Sequence, residues 1–187
     1  TFEEGSKLES IDTLAFQYAA LESIKFPKSV KTIGNSAFNE CYNLKKVEFE
    51  EVSNLVEIGN TAFKKTGLTE FRFPKSSASG GISLGTAIFE KCTALTYVYM
   101  SESVSDIEGA FAKCSSITTM VISDKSENFK VSTDNAKIIT NKDGTAIRYI
   151  LGTLDVPEVE QKDKDGNVIV GEDGKPVTMK EFTLPSD

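Results

Sequence analysis

The sequence predicts an α/β-type but β-rich right-handed solenoid, with one short parallel strand per coil and short helical or 3-10 turns between. Three observations predict it: an internal repeat, apolar residues that recur in columns, and turn residues at fixed places within the repeat. The repeat appears when LESIKFPKSVKTIGNSAFNECYN, residues 21–43, is slid along the chain. Residues 44–67 read LKKVEFEEVSNLVEIGNTAFKKTG, residues 68–94 LTEFRFPKSSASGGISLGTAIFEKCTA, and residues 95–116 LTYVYMSESVSDIEGAFAKCSS. A truncated copy, FEEGSKLESIDTLAFQYAA, fills residues 2–20, and another opens at ITTMVIS, residue 117. The period of about 23 residues is that of a coil too small to bury its own apolar side, so only a stack is stable.

The columns fix each element in order. Leu21, Leu44, Leu68, Leu95 and Ile117 open the repeats. Ile24, Val47, Phe71, Val98 and Met120 follow, then Phe2, Phe26, Phe49, Phe73, Met100 and Ile122. This alternation reads as a short strand, paired in parallel with the same strand of the next coil at a spacing of about 4.8 Å. Pro27 and Pro74 end the strand. The Ile33-Gly34 and Ile58-Gly59 steps read as turns that use the dihedral freedom of glycine. The S-A-F-x-x-C piece carries the column Phe16, Phe38, Phe63, Phe89 and Phe111 and is too short for more than one helical or 3-10 turn. KSSASGG, residues 75–81, reads as a flexible insertion.

Composition narrows the function. The chain has 187 residues, 39% hydrophobic and 26% charged, as a folded protein requires. No run approaches the roughly 18 apolar residues of a membrane span. A net charge of −7 argues against nucleic acid, which demands a basic footprint. The absence of His removes the commonest general base and zinc ligand. With no initiator Met and no signal peptide, the chain reads as a fragment or mature portion.

The second repeat, from Leu21 through Phe26, Pro27, Ser29, Val30, Ile33, Gly34, Ala37, Phe38 and Cys41 to Leu44, resembles the signature of the BspA-type, or Treponema pallidum-type, leucine-rich repeat family. The resemblance covers residues 2 to 122. It departs where Asp12 stands for the turn Gly, where Thr66 stands for Cys, and between Ile107 and Phe111, where one residue is missing. The resemblance implies a leucine-rich-repeat solenoid over residues 1–122, about five coils and the start of a sixth. It also implies a secreted or surface-displayed protein that adheres to host or bacterial surface proteins or glycans. Residues 123–151 resemble a stretch that interrupts the coils in the same family, and 123–178 as a whole reads as an irregular, hairpin-rich insertion. Asn141-Lys142-Asp143-Gly144 would turn between strands at 137–140 and 146–150. MKEFTLPSD, from residue 179 to 187, reads as the start of a further repeat, and the expectation is a protein that continues beyond it.

Candidate chemistry is sparse. Cys41, Cys92 and Cys114 all occupy the F-x-x-C slot. Neighbouring coils would let Cys92 and Cys114 meet in a disulfide, but the odd count and the column favour buried free thiols. QKDKDGNVIVGE, residues 161–172, puts Asp163, Asp165 and Glu172 near calcium-loop places, against a reading as two polar hairpin turns. On the strands, Val98 and Met100 point inward, so Tyr97 and Tyr99 point outward. Lys25, Glu48 and Arg72 share the column of Tyr99, and Lys46 and Glu70 that of Tyr97. The charges read as a cross-strand ladder of opposite signs, and the two tyrosines beside Arg72 as interface anchors.

The expectation is a non-enzymatic, extracellular or cell-surface monomer with no cofactor, no nucleic-acid partner and no membrane insertion. Its partner is a protein or glycan bound on the strand face. The alternatives are a structural spacer displaying another module and, further off, an enzyme. For the latter, no nucleophile–base or carboxylate spacing singles out a site.

Overall fold

The computed structural model describes residues 2–3, 5–131, 138–144, 147–150, 158–160 and 178–180. Its main body is a stack of coils that run, in the middle of the stack, from a front strand through a second short strand to a turn corner. At the front, Ser23–Lys25 pairs in parallel with Lys46–Glu48, Ile24 opposite Val47. Glu70–Arg72, Tyr97–Met100 and Thr119–Ile122 form a second parallel ladder with Phe71, Val98 and Met120 in register. The sequence predicted this front strand and missed a second one. Ser10–Ile11, Thr32–Ile33, Glu57–Ile58 and Ser83–Leu84 form a four-stranded parallel sheet in chain order. Its strands are only two residues long, too short to leave a period-2 pattern.

The turn corner corrects the helical expectation, since no helix occurs among the described residues. Each coil instead holds two left-handed residues: Ser36 (φ 53°) and Glu40 (60°), Thr61 (54°) and Lys65 (55°), Ala87 (56°) and Lys91 (62°). Such residues interrupt a right-handed turn and aim alternate N–H groups at the neighbouring coil. Ser36, Phe38 and Glu40 donate to the carbonyls of Asn60, Ala62 and Lys64 at 2.9, 2.7 and 2.8 Å. Between them, Ala37, Asn39 and Cys41 donate back within the coil to Gly34, Ser36 and Phe38. A left-handed non-glycine residue costs about 1–2 kcal/mol, offset here because these corner N–H groups find acceptors. In the fifth coil, short by one residue, Gly109 takes the left-handed place with φ 67°.

Glycines 34 and 59 serve close approach rather than the φ freedom expected of them; neither has positive φ. A Cβ on Gly34 would lie 2.6 Å from the backbone nitrogen of Thr13, and one on Gly59 2.7 Å from that of Asn35. Asp12 fills the corresponding place in the first described coil, where it is exposed. KSSASGG is more ordered than expected, because Lys75–Ser76 pairs in parallel with Val52–Ser53. The Ser76 hydroxyl donates to the carbonyl of Leu55 at 2.7 Å.

The core is a column structure. Phe16, Phe38, Phe63, Phe89 and Phe111 stack with interplanar angles of 6°, 6°, 8° and 5°. The cysteines line the next column and are free and buried. Cys41, Cys92 and Cys114 donate to the carbonyls of Phe16, Phe63 and Phe89 at 2.9, 3.0 and 2.9 Å. Thr66 replaces a thiol in this column without loss of contact, its Oγ1 lying 3.2 Å from Cys92 Sγ. Burial pushes the Cys114 thiol up to about 12.

Beyond the coils, Phe129–Val131, Ile138–Asn141 and Ile147–Ile150 form an antiparallel sheet with a register shift after Ile139. Gly144, φ 81°, closes the turn expected at 141–144. Phe129 and Ile139 join the solenoid core. Thr178–Lys180 pairs antiparallel with Glu158–Glu160, where a coil strand would pair in parallel. The rest of the further repeat expected at 179–187 and the calcium-loop candidate Asp163, Asp165 and Glu172 lie outside the described residues.

Candidate binding face

The front strands set the orientation of every residue expected to bind. Val98 and Met100 are fully buried, which turns Tyr97 and Tyr99 to the outer face, where both are half-buried. Tyr97 stands opposite Glu70 and Tyr99 opposite Arg72. Lys25 stands opposite Glu48 one ladder away. The seven residues thus share one face, but their charges do not pair as expected. The ion pairs run within strands, Lys46 Nζ to Glu48 Oε1 at 2.8 Å and Arg72 Nη2 to Glu70 Oε2 at 3.6 Å. Residues i and i+2 of a strand share a face, and the cross-strand neighbours of Glu70 and Arg72 are aromatic. Arg72 accordingly places its guanidinium carbon 4.6 Å from the centroid of the Tyr97 ring. The Glu48 carboxylate beside Lys46 raises the lysine above its ordinary value.

The front ladder is interrupted between Lys46–Glu48 and Glu70–Arg72, which belong to different sheets. Phe71, the sole aromatic of its column, sits at this junction. It packs against Phe63, Phe73 and Phe89 at 5.5, 4.9 and 4.7 Å. A groove of about 730 Å³ crosses the junction and runs toward the strand ends. Lys46, Glu48, Glu70, Arg72 and Tyr99 line one part of it, and Glu50, Glu51, Val52, Lys75, Glu102 and Asp124 another. Lys25 and Tyr97 do not line it. Glu102 is held below the ordinary carboxylate value, first by its own backbone amide and then by Ser123 and Lys75, against the effect of burial. Lys75 Nζ lies 3.3 Å from Glu102 Oε1.

Sequence reasoning missed the second group. These residues follow the strands, where the repeats diverge. The one signal was Glu50-Glu51 in the place where two other repeats carry Pro-Lys.

On the turn corner, ion pairs cross between coils: Glu40 to Lys65 and Lys64 to Glu90, each at 2.7 Å. Tyr42 donates to Glu40, and Tyr18 and Tyr42 are 64% and 60% exposed.

Comparison with known proteins gives this geometry a family. The solved leucine-rich repeat protein of T. pallidum is 30% identical over 63% of this chain, with a TM-score of 0.54. A leucine rich cell surface protein from Faecalibacterium prausnitzii is 29% identical over 65%, with a TM-score of 0.57. The pneumococcal vaccine antigen PcpA is 27% identical over 80%, with a TM-score of 0.51. The matches span 54%, 31% and 30% of those three chains. No curated protein matches. The model of the BspA type leucine rich repeat region matches residues 6–135 in 6 copies. With most of its length inside that match, the chain belongs to the BspA-type leucine-rich repeat family.

Proposed function

We propose that this chain is a non-enzymatic binding module, displayed at the cell surface or outside the cell, that acts as a monomer and takes a protein or glycan partner on its front strand face. The observation that carries the reading is the groove of about 730 Å³ crossing that face, with Tyr99 and Arg72 in its wall. Tyr and Arg are the side chains that most often anchor interfaces. Strands fixed by parallel ladders hold them in place before a partner arrives, which lowers the entropic cost of binding. The surface location draws on the F. prausnitzii relative, described as a cell surface protein.

The test is a binding screen of the chain against matrix proteins, mucins and a glycan array, beside a Tyr97→Ala/Tyr99→Ala double variant checked for unchanged folding. Saturable binding that the variant loses supports the reading. Binding that the variant keeps moves the site off the strand face. Binding by neither protein favours a spacer.

A further inference from the structure

We infer that the groove takes a cationic polypeptide segment, its Arg or Lys side chains seated between Tyr99 and the carboxylates of Glu50, Glu51 and Asp124. The inference rests on the strand-face reading and names the partner's chemistry.

The charges lining the groove are not balanced. Lys46, Arg72 and Lys75 are each spoken for, by Glu48, Glu70 and Glu102. What remains among the described lining residues is three carboxylates without an ionic partner, Glu50, Glu51 and Asp124, against one such cation, Lys125. All three acids are exposed, so each is open to a partner. The whole chain carries −7, which steers cations toward it and repels anionic glycans.

The second observation is aromatic and independent of the acids. The face already holds a guanidinium over a tyrosine, Arg72 on Tyr97 at 4.6 Å. Tyr99, one place along the same strand face, lines the groove and has no such cation. A ring and free carboxylates lining one groove can together bind Arg or Lys, the ring face attracting the cation and the carboxylates closing the salt bridge. Exposed Val52 and half-buried Phe49 add apolar wall for the alkyl stems. A volume of about 730 Å³ suits a few side chains of an extended segment rather than a single ion.

The experiment measures binding of a short arginine-rich peptide, a glutamate-rich peptide of equal length and a neutral oligosaccharide to the whole chain. It is repeated with Glu50→Gln/Glu51→Gln/Asp124→Asn and, separately, Tyr99→Leu. The arginine-rich peptide is expected to bind best. The triple variant, which touches only exposed side chains, should weaken it by about tenfold, and Tyr99→Leu should weaken it too. Binding should fade as salt rises from about 0.1 M to about 1 M, where the screening length falls from about 10 Å to about 3 Å. An arginine-rich peptide that binds no better than the glutamate-rich one overturns the inference. So does a screened protein or glycan whose binding is lost in Tyr97→Ala/Tyr99→Ala but unchanged in the triple variant; that result leaves the strand-face reading standing.

Discussion

The turn corner and the strand face are built from the same repeats yet obey different rules. At the corner, the phenylalanine rings of successive coils stack within 8° of parallel. Alternate N–H groups cross to the next coil in the same pattern from Leu14 to Lys65. At the front, the ladder is interrupted after Glu48, and the outward residues change character from Lys25 to Glu48 to Arg72 to Tyr99. Regularity marks the part of a solenoid that folds it, because each coil must fit the one before. Divergence on a fixed scaffold marks the part free to bind.

This contrast can be broken by substitution. Phe63→Ala removes a fully buried ring from the middle of the stack and should cost about 3–5 kcal/mol in urea unfolding. Phe16→Ala, at the half-buried end of the same stack, should cost clearly less. Equal losses would mean that the stack does not act coil by coil.

Gly59→Ala comes next. Its Cβ would sit 2.7 Å from the Asn35 backbone nitrogen, and separating the coils should cost about 1–3 kcal/mol. Asp12→Ala, at the corresponding but exposed place in the first described coil, should stay within about 0.5 kcal/mol of the parent. A neutral Gly59→Ala would show that the coils do not meet as closely as described.

The thiol column gives a pH test. Burial raises Cys114 to about 12, above its ordinary value of 9.0. The folded protein therefore holds this proton when the unfolded chain has lost it. Its contribution is complete below the ordinary thiol value and is lost as pH rises toward the folded one, at about 1.4 kcal/mol per pH unit. Urea midpoints taken across that window should fall less steeply in Cys114→Ala. Native protein should also resist thiol alkylation at pH 8. Prompt alkylation would contradict the buried column.

The smallest effect belongs to the corner's surface charges. Glu40 is held below the ordinary carboxylate value by Lys65 and then by Tyr42. The pair's contribution is present above that ordinary value and is lost as pH falls through the depressed one. Exposed pairs contribute little, so Lys65→Met should change only the acid limb of a stability profile, and only slightly.

The repeat made the front strand, the phenylalanine stack and the cysteine column legible, since each recurs in residue type. What stayed hidden is not announced by residue type. The left-handed positions of the middle coils hold Ser36, Glu40, Thr61 and Lys65, and among the described coils the fifth alone puts a glycine there, Gly109. The second ladder consists of two-residue strands such as Thr32–Ile33. Gly34 and Gly59 were visible, but their use, room for the preceding coil, depends on a neighbour about 23 residues away. Alternation alone turned Tyr97, Tyr99 and Arg72 to the outer face, where they stand. Glu50, Glu51 and Asp124 were not found, because only the coil brings the segments after different strands into one groove.

The most direct test of the strand face as the binding surface compares two double variants against the strongest partner from the screen. Tyr97→Ala/Tyr99→Ala strips the front, and Tyr18→Ala/Tyr42→Ala strips the exposed aromatics of the corner. Binding lost in the first and kept in the second is the predicted result. Binding kept in the first and lost in the second would contradict the account and put the partner on the turn corner.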